Sequence, residues 1–307
     1  MNISILIPNH NDLRMKNLIQ SIDYTCDSKK KVELVIVLNN PTKELKEQCE
    51  NIHSEYKDKF LFNFIYTDRQ NLGYLYNIGL QASSFDHVMF LDSDIICEPY
   101  AIEKIIESMD QDTQLVKANL IYKNMNGFVE KARFCNTTKD IPPYIPVILI
   151  KKDIFKLLKD NFVFAVDVVW CSDAEFAYRV INEDIPFKYC EANFYHDKIT
   201  LKKDVKDAIL YGFGKGIRIK RTKEEWNPFK EIREMKNKSS KHNLSILEMF
   251  YSVFWISLQQ VSCGIQIVFP NFFKNSMNFD KSLKVSELFN DVNLNKGDDS
   301  SWKSNMY

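Results

Sequence analysis

Short apolar runs alternate with segments whose apolar positions recur every three or four residues through the first 110 residues of the chain. Ile3–Ile7, Glu33–Leu38, Phe60–Tyr66 and His87–Leu91 read as strands, with Leu13–Tyr24, Thr42–Tyr56 and Leu72–Ala82 as helices between them. Thr42 stands where an N-cap belongs, and Pro99 lies near the start of a helix reaching about Met109. A β-α-β-α order of this kind predicts a mixed, mainly parallel, Rossmann-like α/β sheet flanked by helices. Beyond Gln111 the pattern changes. Leu115–Tyr122, Phe128–Phe134 and Pro146–Ile150 read as strands of a mixed region, followed by a helix over Ser172–Asn182 and a strand over Phe187–Tyr195. From about Leu201 the pattern is helical, interrupted by the polar stretch Lys236–Lys241, which reads as a linker. The expected division is therefore a main domain over 1–235, with halves 1–110 and 111–235, and a helical C-terminal extension over 242–307. Its last stretch, Asp291–Tyr307, is expected to be loosely held.

Composition narrows the class. The 307 residues are 45% hydrophobic and 27% charged, ordinary for a globular protein large enough to bury a sizeable core. Lys plus Arg equals Asp plus Glu at 41 each, so no overall field favours nucleic acid. The seven cysteines are scattered and form no Cys-x-x-Cys pair, which speaks against a disulfide framework or a zinc site and for a reducing compartment. No basic and apolar leader opens the chain, so a cytoplasmic location is expected.

The densest chemistry lies after the apolar run Val88–Leu91, where Asp92-Ser93-Asp94 follows at once. Ligands of open α/β sheets bind in the crevice outside the carboxyl ends of the strands. Two carboxylates there can hold a hard divalent cation; the bland reading is a solvated strand-end turn. Three further pieces accompany the pair: Ile5-Leu6-Ile7-Pro8-Asn9-His10-Asn11; Ser172-Asp173 with Glu175 and Arg179, preceded by Trp170; and the strand over Phe187–Tyr195 ending in His196. Asn71-Leu72-Gly73 and Asn77-Ile78-Gly79 lie between the third and fourth strands.

In this order the pieces resemble the family 2 glycosyltransferases of the GT-A fold, over roughly residues 1–220. The resemblance implies an inverting, metal-dependent transfer from a nucleoside-diphosphate sugar to a saccharide or lipid-linked saccharide acceptor, in bacterial surface polysaccharide or glycoconjugate synthesis. It assigns 1–110 to nucleotide binding and 111–235 to the acceptor side. Pro8, Asn9, His10 and Asn11 would cradle the nucleotide, joined by Asn39, Asn71, Asp92 and Ser93. Asn39 replaces an Asp common in the family, and an amide donates as well as accepts, so the base is open. Asp94, with Asp92 and His196, would hold Mn2+ or Mg2+; His196 could instead meet the diphosphate. Asp173 matches the family's base, with Ser172 where a Glu is usual, and Trp170 would contact the acceptor. The bland reading of that segment is a helix start capped by Ser172.

Tyr211–Gly216 lacks the spacing of a phosphate loop. Arg218, Lys220, Arg221 and Lys223 suit a diphosphate, an anionic lipid or a solvated helix face. The apolar stretch 244–273 is broken by Gln259, Gln260 and Ser262 before ~18–20 clean residues accumulate, so it is not expected to span a membrane. Packing, a homo-oligomer or a peripheral contact at the inner face of the cell membrane remain for it. The competing functional classes are a catalytically silent nucleotide-sugar-binding relative and an Asp-x-Asp phosphohydrolase.

Overall fold

The computed structural model describes residues 1–25, 31–124, 126–135, 142–241, 244–272 and 282–289. Cys26, Phe273 and the stretch 291–307 lie outside the described residues. Strands β1 (Ile3–Asn9), β2 (Val32–Asn39), β3 (Leu61–Thr67) and β4 (His87–Phe90) alternate with helices α1 (Met15–Thr25), α2 (Lys43–Tyr56) and α3 (Leu72–Ala82). β1 and β2 are buried at every position, which is why they read as unbroken apolar runs. Alternate residues of β1 enter different layers: Ile3, Ile5 and Ile7 pack with Leu18 and Ile22 of α1, and Leu6 packs with Tyr76 and Leu80 of α3. Thr42 caps α2 as its position suggested, accepting from the Leu45 N–H at 3.3 Å.

Next come β5 (Ile95–Cys97), α4 (Ala101–Glu107), β6 (Leu115–Tyr122), α5 (Phe128–Ala132), β7 (Ile148–Lys151), α6 (Ile154–Leu157), α7 (Ser172–Asn182) and β8 (Phe187–His196). All eight strands form one sheet in the order β3-β2-β1-β4-β7-β6-β8-β5. Strands β1 to β4 pair in parallel, β6 pairs with β8 in parallel, and β7 and β5 join antiparallel. The chain runs outward from β1 through β2 to β3, and α3 then carries it back to β4 on the other side of β1. That reversal opens the crevice expected of a topological switch point.

Helices α8 (Leu201–Thr222), α9 (Pro228–Lys241), α10 (Ile246–Val268) and α11 (Val285–Phe289) follow. Two expectations fail here. Phe128–Phe134 is not a strand: Val129 and Ala132, three apart, put one helical face of α5 against Tyr251 and Trp255 of α10. A short apolar run does not by itself distinguish the two states. Lys236–Lys241 is not a linker either, because α9 runs through it. Ile232, Met235 and Ser239 recur at helical spacing; Ile232 and Met235 pack towards α10, and Ser239 is buried with its hydroxyl on the Met235 carbonyl oxygen at 2.8 Å. Among the described residues no helix is long and apolar enough to cross a membrane.

Candidate active site

The site forms where β1, β4 and β8 end. Leu91 donates its N–H to the Leu6 carbonyl oxygen at 3.1 Å, and the Ile95 N–H closes a turn on the Asp92 carbonyl oxygen at 3.2 Å. Asp92, Ser93 and Asp94 occupy that turn. The antiparallel register sets Ile95 opposite His196, which brings His196 Nε2 to 3.1 Å from Asp94 Oδ2. The sequence reading omitted β5, a three-residue strand, yet β5 is what joins these two motif residues.

Around Asp94 the charges are arranged in layers. Arg14, at the mouth of α1, reaches Asp94 at 3.2 Å, Asp12 at 2.6 Å and Asp197 at 2.7 Å. Burial pushes the Asp94 carboxyl up, but the His196 hydrogen bond and the Arg14 charge outweigh it and hold it below the usual carboxylate range. Burial pushes the His196 imidazole down, and Asp94 more than offsets it, leaving it raised. Asp92 behaves oppositely. Burial first, then the neighbouring Asp94 charge, pushes it up to about 7. The two carboxylates of the pair are thereby divided, with Asp94 the anion near neutrality.

These residues fit a divalent cation as an open site. Nδ1 of His196 lies 2.7 Å from the Asp197 carbonyl oxygen, a contact that leaves Nε2 facing Asp94. A spacing of 3.1 Å between Nε2 and Oδ2 suits two ligand atoms each ~2.1 Å from one ion. Among the described residues no group of three His, Cys, Asp or Glu side chains is arranged to hold an ion alone. Mg2+ in particular is often held by one or two carboxylates together with substrate phosphates and water.

Asp173 is the second residue of α7, beside the backbone N–H groups at the helix start. Burial raises its carboxyl to about 6, against the pull of the backbone N–H groups of Ala174 and of its own residue and the charges of Lys117 and Arg218. The capping role of Ser172 does not materialise: Cys171 is the N-cap, and buried Ser172 Oγ lacks a hydrogen-bond partner among the described residues.

The loop leading to Asp173 is clamped by α3 and α7. Asn77 bonds both the N–H and the carbonyl of Phe164, at 2.9 and 3.0 Å, and Asn71 donates to the Val166 carbonyl oxygen at 2.7 Å. Gly73 permits the approach, since a Cβ there would sit 2.7 Å from the Ala165 carbonyl oxygen. From the other side buried Arg179, paired with Glu175 at 2.9 Å, donates to the Phe162 and Val163 carbonyl oxygens. Trp170 then leaves the loop with a left-handed φ of 65° and its side chain exposed on the rim. Such a backbone costs ~1–3 kcal/mol and persists only where the surroundings fix it.

The proposed nucleotide loop is held by its own amides. Asn9 Oδ1 accepts the Asp12 N–H at 2.9 Å while its Nδ2 donates to the Asp12 carbonyl oxygen. Asn11 links the Thr42 N–H and the Asn40 carbonyl oxygen, and Asn39 donates to the Arg69 carbonyl oxygen. Asn71 also caps α3, accepting from the Tyr74 N–H at 2.9 Å. Pro8 and Ser93 are buried, whereas the His10 ring is exposed, anchored through Nδ1 to the Asn39 carbonyl oxygen at 3.2 Å. Of the basic run on α8, Arg218 pairs with Glu224 and Arg221 with Asp167.

Sequence reasoning missed Arg14 and Lys117. Lys117, on β6, is buried, donates to the Tyr144 and Pro146 carbonyl oxygens at 2.8 and 2.5 Å, and acts electrostatically on both Asp92 and Asp173. Burial lowers its ammonium to about 8. A lysine inside an apolar strand run is the only signal the sequence offers for it.

The model of the family described as "Glycosyl transferase family 2" matches residues 4–171, more than half of the chain. The chain belongs to glycosyl transferase family 2. Its sheet and flanking helices form the GT-A fold. Solved structures similar to this family 2 chain include the following two. Residues 1–349 of TarS from S. aureus, in complex with UDP, align at 11% identity and a TM-score of 0.52, over 91% of this chain and 94% of that one. The mannosyltransferase PcManGT from Pyrobaculum calidifontis, in complex with GDP-Man and Mn2+, aligns at 9% identity and 0.59, over 87% of each chain. At such identities the likeness is one of fold. Among curated proteins no match was found. The family match includes Asp92 and Asp94 and ends before Asp173 and His196.

Proposed function

We propose that this family 2 glycosyltransferase is inverting and metal-dependent, moving a sugar from a nucleoside-diphosphate sugar to an acceptor hydroxyl with Asp173 as the base. The observation that carries the reading is the convergence of Asp92, Asp94, His196, Lys117 and Asp173 at the sheet's switch point. Asp173 takes the acceptor proton as the acceptor oxygen bonds to the anomeric carbon. The bond from that carbon to the diphosphate breaks on the opposite face, and its electron pair leaves with the nucleotide. Lys117 and Arg218 favour the ionised base, and Arg14 faces the charge that grows on the leaving diphosphate. Mn2+ or Mg2+, held by Asp94 and His196 with Asp92 beside it, would neutralise that diphosphate.

Nucleotides in the two similar structures support a nucleotide-sugar donor, and Asn39 leaves its base open. Trp170 on the rim suits a saccharide or lipid-linked saccharide acceptor, consistent with surface polysaccharide or glycoconjugate synthesis. Cysteines among the described residues are free, which fits the reducing cytoplasm. Nucleotide release from a panel of nucleotide sugars with Mn2+ tests the reading. Release should fall steeply with Asp173→Asn or Asp94→Ala. Equal release by wild type and Asp94→Ala removes the metal site, and donor binding without any turnover favours the silent relative.

A further inference from the structure

Helix α10 presents an apolar stripe to the outside. Ile246, Leu247, Phe250, Phe254, Val261 and Val268 are 51–72% exposed and share one side of the helix, while Tyr251, Trp255, Gln260 and Cys263 on the other faces are buried. Beyond the last turn, Phe269 is 61% exposed, and Phe272, 63% exposed, stacks on Phe213 of α8. With aromatic side chains covering ~150–250 Å² each, Phe250, Phe254 and Phe269 leave roughly 350 Å² open, and the aliphatic residues bring the patch to roughly 700–800 Å². The largest apolar patch of a typical monomer is ~300–600 Å². A standard specific interface removes ~800 Å² from each partner.

We infer that this stripe is the interface of a two-fold homodimer in which α10 packs antiparallel on its own copy. Three features select a second copy as the occupant: the area, the aromatic content and the charge pattern. Interface cores are depleted of charge and enriched in Phe and other aromatics, and the only charge on α10, Glu248, lies off the stripe. A helix lying on anionic lipid carries Lys and Arg along its polar face; α10 has neither. Size complementarity agrees. About a two-fold axis level with Gln259, Phe250 faces Val268 and Ser257 faces Val261, so the two residues of each facing pair differ in size. A symmetric contact requires such self-complementarity.

Sedimentation equilibrium of the full chain tests the inference. The expected mass is twice 36.1 kDa, and Phe254→Glu should raise the dissociation constant at least ~100-fold by burying an unpaired charge in the contact. Phe254 is half exposed in the single chain, so circular dichroism and nucleotide binding should be unchanged. The pair Ser257→Cys with Val261→Cys should cross-link into a covalent dimer on oxidation. A wild-type chain that stays at 36.1 kDa up to ~100 µM, or a Phe254→Glu variant with wild-type mass, overturns the dimer. So does a dimer whose cysteine pair stays unlinked under oxidant, or a monomer that pellets with phosphatidylglycerol vesicles, which would assign the stripe to lipid.

Discussion

The amide-rich loops and the acidic turn both stand at the carboxyl ends of the sheet, and both carry motif residues, yet they use them differently. Asn9, Asn11, Asn39, Asn71 and Asn77 direct their side chains to backbone groups of this same chain. They hold the loops by satisfying backbone donors and acceptors, a role in which each bond contributes ~0.5–1.5 kcal/mol. Asp92 and Asp173 instead lie in surroundings that oppose their ionisation, which is how proteins prepare groups for proton transfer. Motif residues of the two regions thus have different kinds of partner within the chain. The two regions should separate cleanly: replacements in the acidic cluster lower turnover at intact stability, and replacements among the amides lower stability first.

The largest separation is expected at Asp173. Asp173→Asn keeps the shape and removes the base, so turnover should fall ~10²–10⁴-fold with the donor KM nearly unchanged. A parallel rise in donor KM would mean that Asp173 holds the nucleotide instead. Next comes Asp94→Ala. It deletes the anion shared by His196 and Arg14, and Mn2+ affinity in the presence of nucleotide should drop at least ~10-fold, read by electron paramagnetic resonance. Unchanged Mn2+ binding would move the metal elsewhere.

Lys117 lies on the boundary between the two regions, since it both bonds backbone carbonyls and acts on the carboxylates. Burial raises Asp173 to about 6, while Lys117, Arg218 and two backbone N–H groups pull it down. The base works when ionised, so kcat/KM should rise as pH climbs through about 6. Removing a positive neighbour raises a carboxyl. Lys117→Met should therefore move this acid limb to higher pH, and Lys117→Arg should restore it. A purely structural role would lower activity at every pH and leave the limb in place.

Sequence periodicity revealed the parallel half well, because strands buried on both faces and amphipathic helices leave strong local patterns. Asp92, Asp94, Asp173 and His196 were also legible, as ordered motifs. Their juxtaposition was not. It depends on β5, three residues long, and on a register that sets Ile95 opposite His196 across 100 positions of chain. Lys117 escaped for the same reason: its meaning comes from Tyr144 and Asp173, which are distant in sequence. The helix α5 and the α9 continuation were misread because their partners lie on α10, and tertiary packing settled what local pattern left ambiguous.

The smallest effect tests the amide side of the comparison. Asn71 was expected to touch the nucleotide, and the structure gives its two side-chain ends other work: Oδ1 caps α3 at Tyr74, and Nδ2 holds the Val166 carbonyl oxygen. Loss of an N-cap costs ~0.5–2 kcal/mol, and the freed Val166 carbonyl adds up to a further ~1 kcal/mol where water reaches it poorly. Asn71→Ala should accordingly lower Tm by roughly 2–6 °C for a chain of this size. Because Val166 leads towards Trp170 and Asp173, turnover should fall only about as far as the loop loosens, with nucleotide affinity retained within ~3-fold. Asn71→Asp separates the two functions of the amide: it keeps the cap acceptor and loses the donor to Val166, so it should recover the larger part of the stability. If nucleotide affinity instead falls ~100-fold while Tm holds, Asn71 belongs with the residues that meet substrate, and the division between scaffold amides and reactive acids fails at that position.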